Sequence, residues 1–136
     1  MKTQIRNAGS VLLMTIFVIA LLSAVVIGML QMTTEEIQIM QNQICSTKAL
    51  AIAEAGLNDA LSELRVDSSW NSGFTDKAFK DGSYSTTVSG TLPYLTLEST
   101  GTSAQGFVAK VKAELTVGSN GPPYVIRIDS LRINES

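Results

Sequence analysis

Few side chains in this 136-residue sequence are of types that do chemistry. There is no histidine, so a nucleophile–histidine–acid triad is impossible. The single cysteine, Cys45, excludes an internal disulfide. With no histidine and scattered acids it also argues against a zinc site. Cys45 could bond a second subunit or accept a lipid, but a lone cysteine on a helix reads first as a small apolar contact residue. Glu35 and Glu36 are adjacent, and neighbouring residues on a helix point about 100° apart. Shared metal or proton chemistry is therefore awkward, and a solvated face is the simpler reading. Two readings of Glu54 stay open: a partner for a neighbouring subunit, or an exposed acid near Lys48 or Arg65, where a pair is worth little. Gly56 costs about 1 kcal/mol against alanine in a helix interior; close approach of a strand or a neighbouring helix would explain it. Trp70 and the threonine-rich strands could bind a glycan, but a structural aromatic under a loop is the more economical reading. Lys77, Lys80, Lys110 and Lys112 could form a patch for nucleic acid. Asp76, Asp81, Glu98 and Glu114 dilute it, and a net charge of −2 leaves no basic footprint. There is no phosphate-binding loop. Catalysis, a metal and a cofactor are not expected of this chain.

The elements that must position these residues begin with an uneven distribution of apolar residues. The sequence is 45% hydrophobic, and much of that is concentrated in residues 11–30, which carry no charge. Only Thr15, Ser23 and Gly28 interrupt the run. Twenty residues span about 30 Å as a helix, the thickness of a bilayer's hydrocarbon core. The short flank before it carries Lys2 and Arg6 and no acid, which predicts a cytoplasmic N-terminus; Glu35 and Glu36 fall on the other side. The apolar run exceeds the 7–15 residues typical of a secretory signal, and no turn or proline follows it. A helical pattern continues over residues 31–65. Ile37, Met40, Ile44, Ala49, Ala53, Leu57, Ala60, Leu61 and Leu64 mark one broad stripe, with Gln38, Gln41, Gln43, Lys48, Asn58, Asp59 and Glu63 mainly elsewhere. As one continuous helix, residues 11–65 would extend about 83 Å, too long for a head of some 70 residues to enclose.

Residues 66–82 read as an αβ loop holding Trp70, Gly73, Phe74 and Phe79, folded against a sheet edge. Strand periodicity follows. Tyr84, Thr86 and Val88 share a face, then Leu95 and Leu97, with Ser99 to Gly106 as a polar turn region. Phe107, Ala109, Val111, Ala113, Leu115 and Val117 alternate strictly with polar residues, the mark of a half-buried strand. Tyr124, Ile126 and Ile128 share a face that switches to Leu131 and Ile133 near Ser130, which predicts a bulge or the strand's end. The expected fold class is α+β. A long N-terminal helix, transmembrane in its first half, packs its second half on a C-terminal antiparallel sheet of about four strands in residues 66–136. Ala53, Leu57, Leu61 and Leu64 are the helix–sheet packing residues.

Two segments together resemble a known family. A short basic leader, residues 1–9, ends in Gly9 before Ser10-Val11-Leu12-Leu13-Met14, like a class III prepilin signal. The segment Lys48-Ala49-Leu50-Ala51-Ile52-Ala53-Glu54-Ala55-Gly56-Leu57 is similar to the A-L-x-x-A-E-A-G-L signature of PilX-type minor pilins, and the minor pseudopilin K of type II secretion shares a similar segment. The resemblance covers residues 6–65 well and the head in outline. It implies a type IV pilin-like fold and processing by prepilin peptidase between Gly9 and Ser10. It also implies that residues 10–65 form the long helix, with Val11, Leu12, Leu13, Met14, Phe17, Leu21 and Leu22 in the inner membrane and later in a filament core. Met14 stands where most major pilins carry glutamate, a departure that PilX-like and K-like members often share. The implied function is that of a structural minor pilin or pseudopilin, at a filament's initiation or tip, in a type IV pilus, competence or type II secretion system. The implied partners are other pilin or pseudopilin subunits and the peptidase, with the assembly platform and ATPase acting indirectly. The alternative is a single-pass, signal-anchored binding module with its head outside the cytoplasm.

Overall fold

The computed structural model describes residues 2–134, and side chains from residue 8 onward. Lys2 and Arg6, read as the basic flank, lie outside the described side chains. The elements in chain order are α1 (Lys2–Val66), β1 (Phe74–Phe79), β2 (Gly82–Thr91), β3 (Tyr94–Thr102), β4 (Val108–Val117) and β5 (Ile126–Ile133). The chain divides into two compact units, residues 1–41 and residues 42–136, and α1 contributes to both.

In the first unit α1 is apolar all round over residues 11–30, and every described residue there is exposed. Its few polar side chains turn their hydroxyls inward. Thr15 donates to the Val11 carbonyl at 2.7 Å, Ser23 to Ile19 at 2.8 Å, and Thr33 and Thr34 to Met29 and Leu30 at 2.9 Å. Each hydroxyl is thereby satisfied without water, as an apolar surrounding demands. By length and composition this helix can cross a membrane.

The second unit is α+β: the distal part of α1 packed on a five-stranded antiparallel meander of order β1-β2-β3-β4-β5. The strands alternate as the apolar pattern requires. In β4, Ala109, Val111, Ala113, Leu115 and Val117 are buried while Lys110, Lys112 and Glu114 are exposed. Ala53, Leu57, Ala60 and Leu64 of α1 form one core cluster with Val111, Ala113, Leu115 and Val117, while Ala49 lies by Gly101 of β3 and Ile52 by Gly82 of β2. The ends are tied down as well. Asp67 closes the turn after the helix, accepting from the Ser69 amide at 2.9 Å and the Ser69 hydroxyl at 2.6 Å. The Tyr124 amide donates to the Arg65 carbonyl at 2.9 Å, supplying one of the partners that a helix C-terminus lacks within itself.

Three expectations change. First, the segment expected as an αβ loop over residues 66–82 contains β1, so the sheet has five strands. β1 lacks alternation because it is an edge strand with a register shift between Phe74 and Lys77 and with Asp76 at a φ of 46°. Second, the polar turn expected from Ser99 is strand until Thr102, and Ser99 and Gly101 are buried against the helix. Third, the stripe does not begin at Ile37: Ile37, Met40 and Ile44 are exposed, Ile52 is buried, and Leu61 is half-buried at the margin. Of the two outcomes expected near Ser130, a bulge or the strand's end, β5 shows the bulge: two residues oppose one step of β4 between Glu114 and Leu115, and the strand runs to Ile133. The bulge restores Leu131 and Ile133 to the face of Ile126 and Ile128.

Candidate functional site

Two surfaces carry the residues singled out in the sequence. The first is the uncovered length of α1. Gly9 and Ser10 lie exposed within it, and a Cβ added at Gly9 would meet nothing within 4 Å. Packing therefore gives no reason for glycine at that position. Val11, Leu12, Leu13, Met14, Phe17, Leu21 and Leu22 are all exposed, Met14 by 72%. An apolar surface of this extent is not stable in water and calls for lipid or other apolar helices. Glu35 and Glu36 are exposed beyond it, and Cys45 is a half-buried free thiol rather than a fully buried contact.

The second is the joint between the distal helix and the sheet. Gly56 is a point of close approach between the helix and strands β2 and β3: a Cβ there would lie 2.5 Å from Ser99 Oγ, 2.6 Å from Tyr84 Cδ2 and 2.9 Å from Thr86 Oγ1. The Thr86 hydroxyl donates to that of Ser99 at 3.2 Å, which keeps both satisfied in the core. Three residues of the Lys48–Leu57 segment thus have a packing explanation: Ala49 and Ala53 let the helix backbone approach Gly101, and Gly56 makes room for the side chains of Ser99, Tyr84 and Thr86. Glu54 is exposed at the rim. Trp70 is half-buried, 5.2 Å from the Phe74 ring, and packs against the core, in keeping with the structural reading.

Sequence reasoning missed a polar cluster that fastens β1 to the helix. Lys77 Nζ lies 2.5 Å from Asp59 Oδ2 and 4.4 Å from the centre of the Phe74 ring, and the Tyr84 hydroxyl donates to the same carboxylate oxygen. These residues are 18 and 25 positions from Asp59, so no local spacing announces them. The Lys77 hydrogen bond, then that of Tyr84, holds the Asp59 carboxyl below the ordinary 3.8. A carboxylate lowered in the folded state stabilises the head above the unfolded value and ceases to do so as pH falls through 3.8 toward the folded one. Asp59→Asn should therefore lower the head's melting temperature at pH 7 and lose less on acidification from pH 6 to 3 than the parent loses. Equal acid sensitivity of the two chains in thermal melts would contradict this linkage.

The four lysines do not gather. Lys77 is held by Asp59, Lys110 lies 3.7 Å from Glu98, and Lys112 sits opposite Glu98 in the β3–β4 register. The outer face of the sheet is self-paired elsewhere too, with Arg127 Nε at 2.6 Å from Asp129 and the Ser130 hydroxyl at 3.1 Å from Glu114. On the inner face, Ile128, Leu131 and Ile133 of β5 remain about half exposed. Among the described residues, no group of three or more metal-ligating side chains comes together. Comparison with family models, with curated proteins and with solved structures finds no match to this chain.

Proposed function

We propose that this chain is a structural subunit of a type IV pilus-like or type II secretion-like filament, of the minor pilin or pseudopilin kind, made as an inner-membrane precursor and cut after Gly9. The observation that carries the reading is the wholly uncovered apolar stretch of α1, leading in the same helix to a segment that packs on an antiparallel sheet. Such a surface is satisfied by lipid and by a bundle of other apolar helices alike, so transfer from one to the other costs little. The N-terminus is cytoplasmic and the head lies beyond the membrane, on the strength of the basic flank. Assembly is driven by a separate ATPase, and the chain is the peptidase's substrate rather than an enzyme. An exposed glycine that no neighbour requires is what a peptidase needing a small residue would select.

Met14 argues for scarcity. After cutting, the ammonium of Ser10 enters an apolar layer, where an unpaired charge is expensive. A glutamate at the fifth mature position of a neighbour can pair with it. This chain, with Met14, offers no such partner to the next subunit, so it suits an end or an initiation complex. Immunogold labelling of filaments should find it sparse and near ends, and the purified chain should not form filaments alone. Dense labelling along whole filaments, or self-assembly, would overturn the minor-subunit reading.

A further inference from the structure

A cavity of about 200 Å³ opens in the second unit between α1, the β1–β2 turn and the loop after β3. Its apolar wall is Ala51, Ile52 and Phe79, and its rim carries Lys48, Lys80 and Asp81. The walls are held by packing and hydrogen bonds. Ile52 is 7% exposed. The Phe79 ring sits 6.3 Å from that of Tyr84, which is itself anchored on Asp59. The loop after β3 is closed by the Ser103 amide on the Phe107 carbonyl and the Gly106 amide on the Ser103 carbonyl, each at 2.9 Å.

Neither rim lysine is ion-paired: among the described residues, no carboxylate lies within 4.0 Å of either ammonium. Lys80 is held 5.8 Å from the centre of the Phe79 ring, beside the cavity. Two cations and one acid leave the rim with a single net positive charge. That balance suits a monoanion, since Asp81 would repel the second charge of a phosphate. The apolar wall calls for an apolar body on that anion. The volume lies between the 150 Å³ of a cavity that takes benzene and the 300 Å³ at which drug-sized pockets begin, so the body is one ring or a branched alkyl group.

We propose that this cavity binds a small amphipathic monoanion, an aryl or branched-alkyl carboxylate, with the apolar group against Ile52 and Phe79 and the carboxylate between Lys48 and Lys80. A free acid and the carboxyl terminus of a polypeptide ending in an apolar residue offer the same chemistry. The site is independent of the filament reading, because it lies wholly in the head.

The test is a titration of the full chain in lipid nanodiscs with phenylacetate, followed by the amide signals of Lys80, Gly82 and Gly106 and the Ile52 methyl signal. Saturable shifts confined to these groups are expected, with a dissociation constant on the order of 1 mM for a ligand of about ten heavy atoms. Lys48→Met and Lys80→Met should each weaken binding roughly threefold, as exposed charges do. Ala51→Trp should abolish it by filling the cavity; Ala104→Trp is a second filling variant, and both positions are exposed. Tighter binding of N-acetylglycylphenylalanine than of phenylacetate would assign the site to a chain terminus, and the reverse to a free acid. Absence of saturation at about 20 mM would overturn the proposal, as would equal binding of benzyl alcohol with no effect of the lysine variants, or binding that survives both tryptophans.

Discussion

Gly101→Val should release the distal helix from the sheet. Gly101 is buried in β3, and a Cβ there would lie 2.3 Å from the Ala49 carbonyl oxygen and 2.3 Å from the Ala53 nitrogen. Both are helix backbone atoms, which cannot rotate aside as a flexible side chain would. Helix and sheet must part along the line where Ala49, Ala53 and Gly56 now meet β2 and β3. Overpacking a core costs about 1–3 kcal/mol when side chains can adjust; a clash with backbone belongs at or above the top of that range. For a unit of this size, each kcal/mol moves the melting temperature by about 4–8 °C, so a fall of more than about 12 °C is expected. Leu57→Asp should act similarly, since it places an unpaired carboxylate at a buried site. Circular dichroism melts and limited proteolysis of the full chain in detergent read both variants. A protease-resistant head with an unchanged melting temperature in either would contradict the helix–sheet packing described above.

Local periodicity made much of this fold legible, and distance in the chain hid the rest. β4 announces itself because one of its faces is buried along the whole strand and the other is wet. The uncharged run of residues 11–30 is visible because the environment it needs is uniform. Ser99 and Gly101 read as turn residues because the requirement for small side chains under a close-packed helix imitates the composition of a turn. β1 was hidden for the opposite reason: Thr75 to Ala78 are exposed, so burial left no imprint on their types. The pairing of Lys77 and Tyr84 with Asp59 is a tertiary fact with no local signature. Gly56 was the one residue whose cost pointed forward to its cause, a close approach of the sheet. Of the candidate surfaces, the uncovered helix was readable from composition, whereas the cavity near Lys48 and Lys80 needs three separate segments brought together.

Gly9→Leu should abolish maturation while leaving the chain folded and inserted. Leucine is a better helix former than glycine, and a Cβ at position 9 would meet nothing within 4 Å. The substitution therefore harms neither the helix nor the head. If residues 1–9 are a leader, as proposed, its effect falls on the peptidase, whose site must accept the residue before the cut. The precursor should accumulate in the inner membrane, and filaments should lack this subunit, with head stability unchanged in thermal melts. Normal processing of this variant would remove the basis for reading residues 1–9 as a prepilin leader.

The most direct measurement is the mass of the native chain recovered from its own membranes and filaments. A minor pilin or pseudopilin should begin at Ser10, having lost residues 1–9, in both fractions. A chain that still begins at Met1 would contradict that reading and leave a single-pass anchored head in its place.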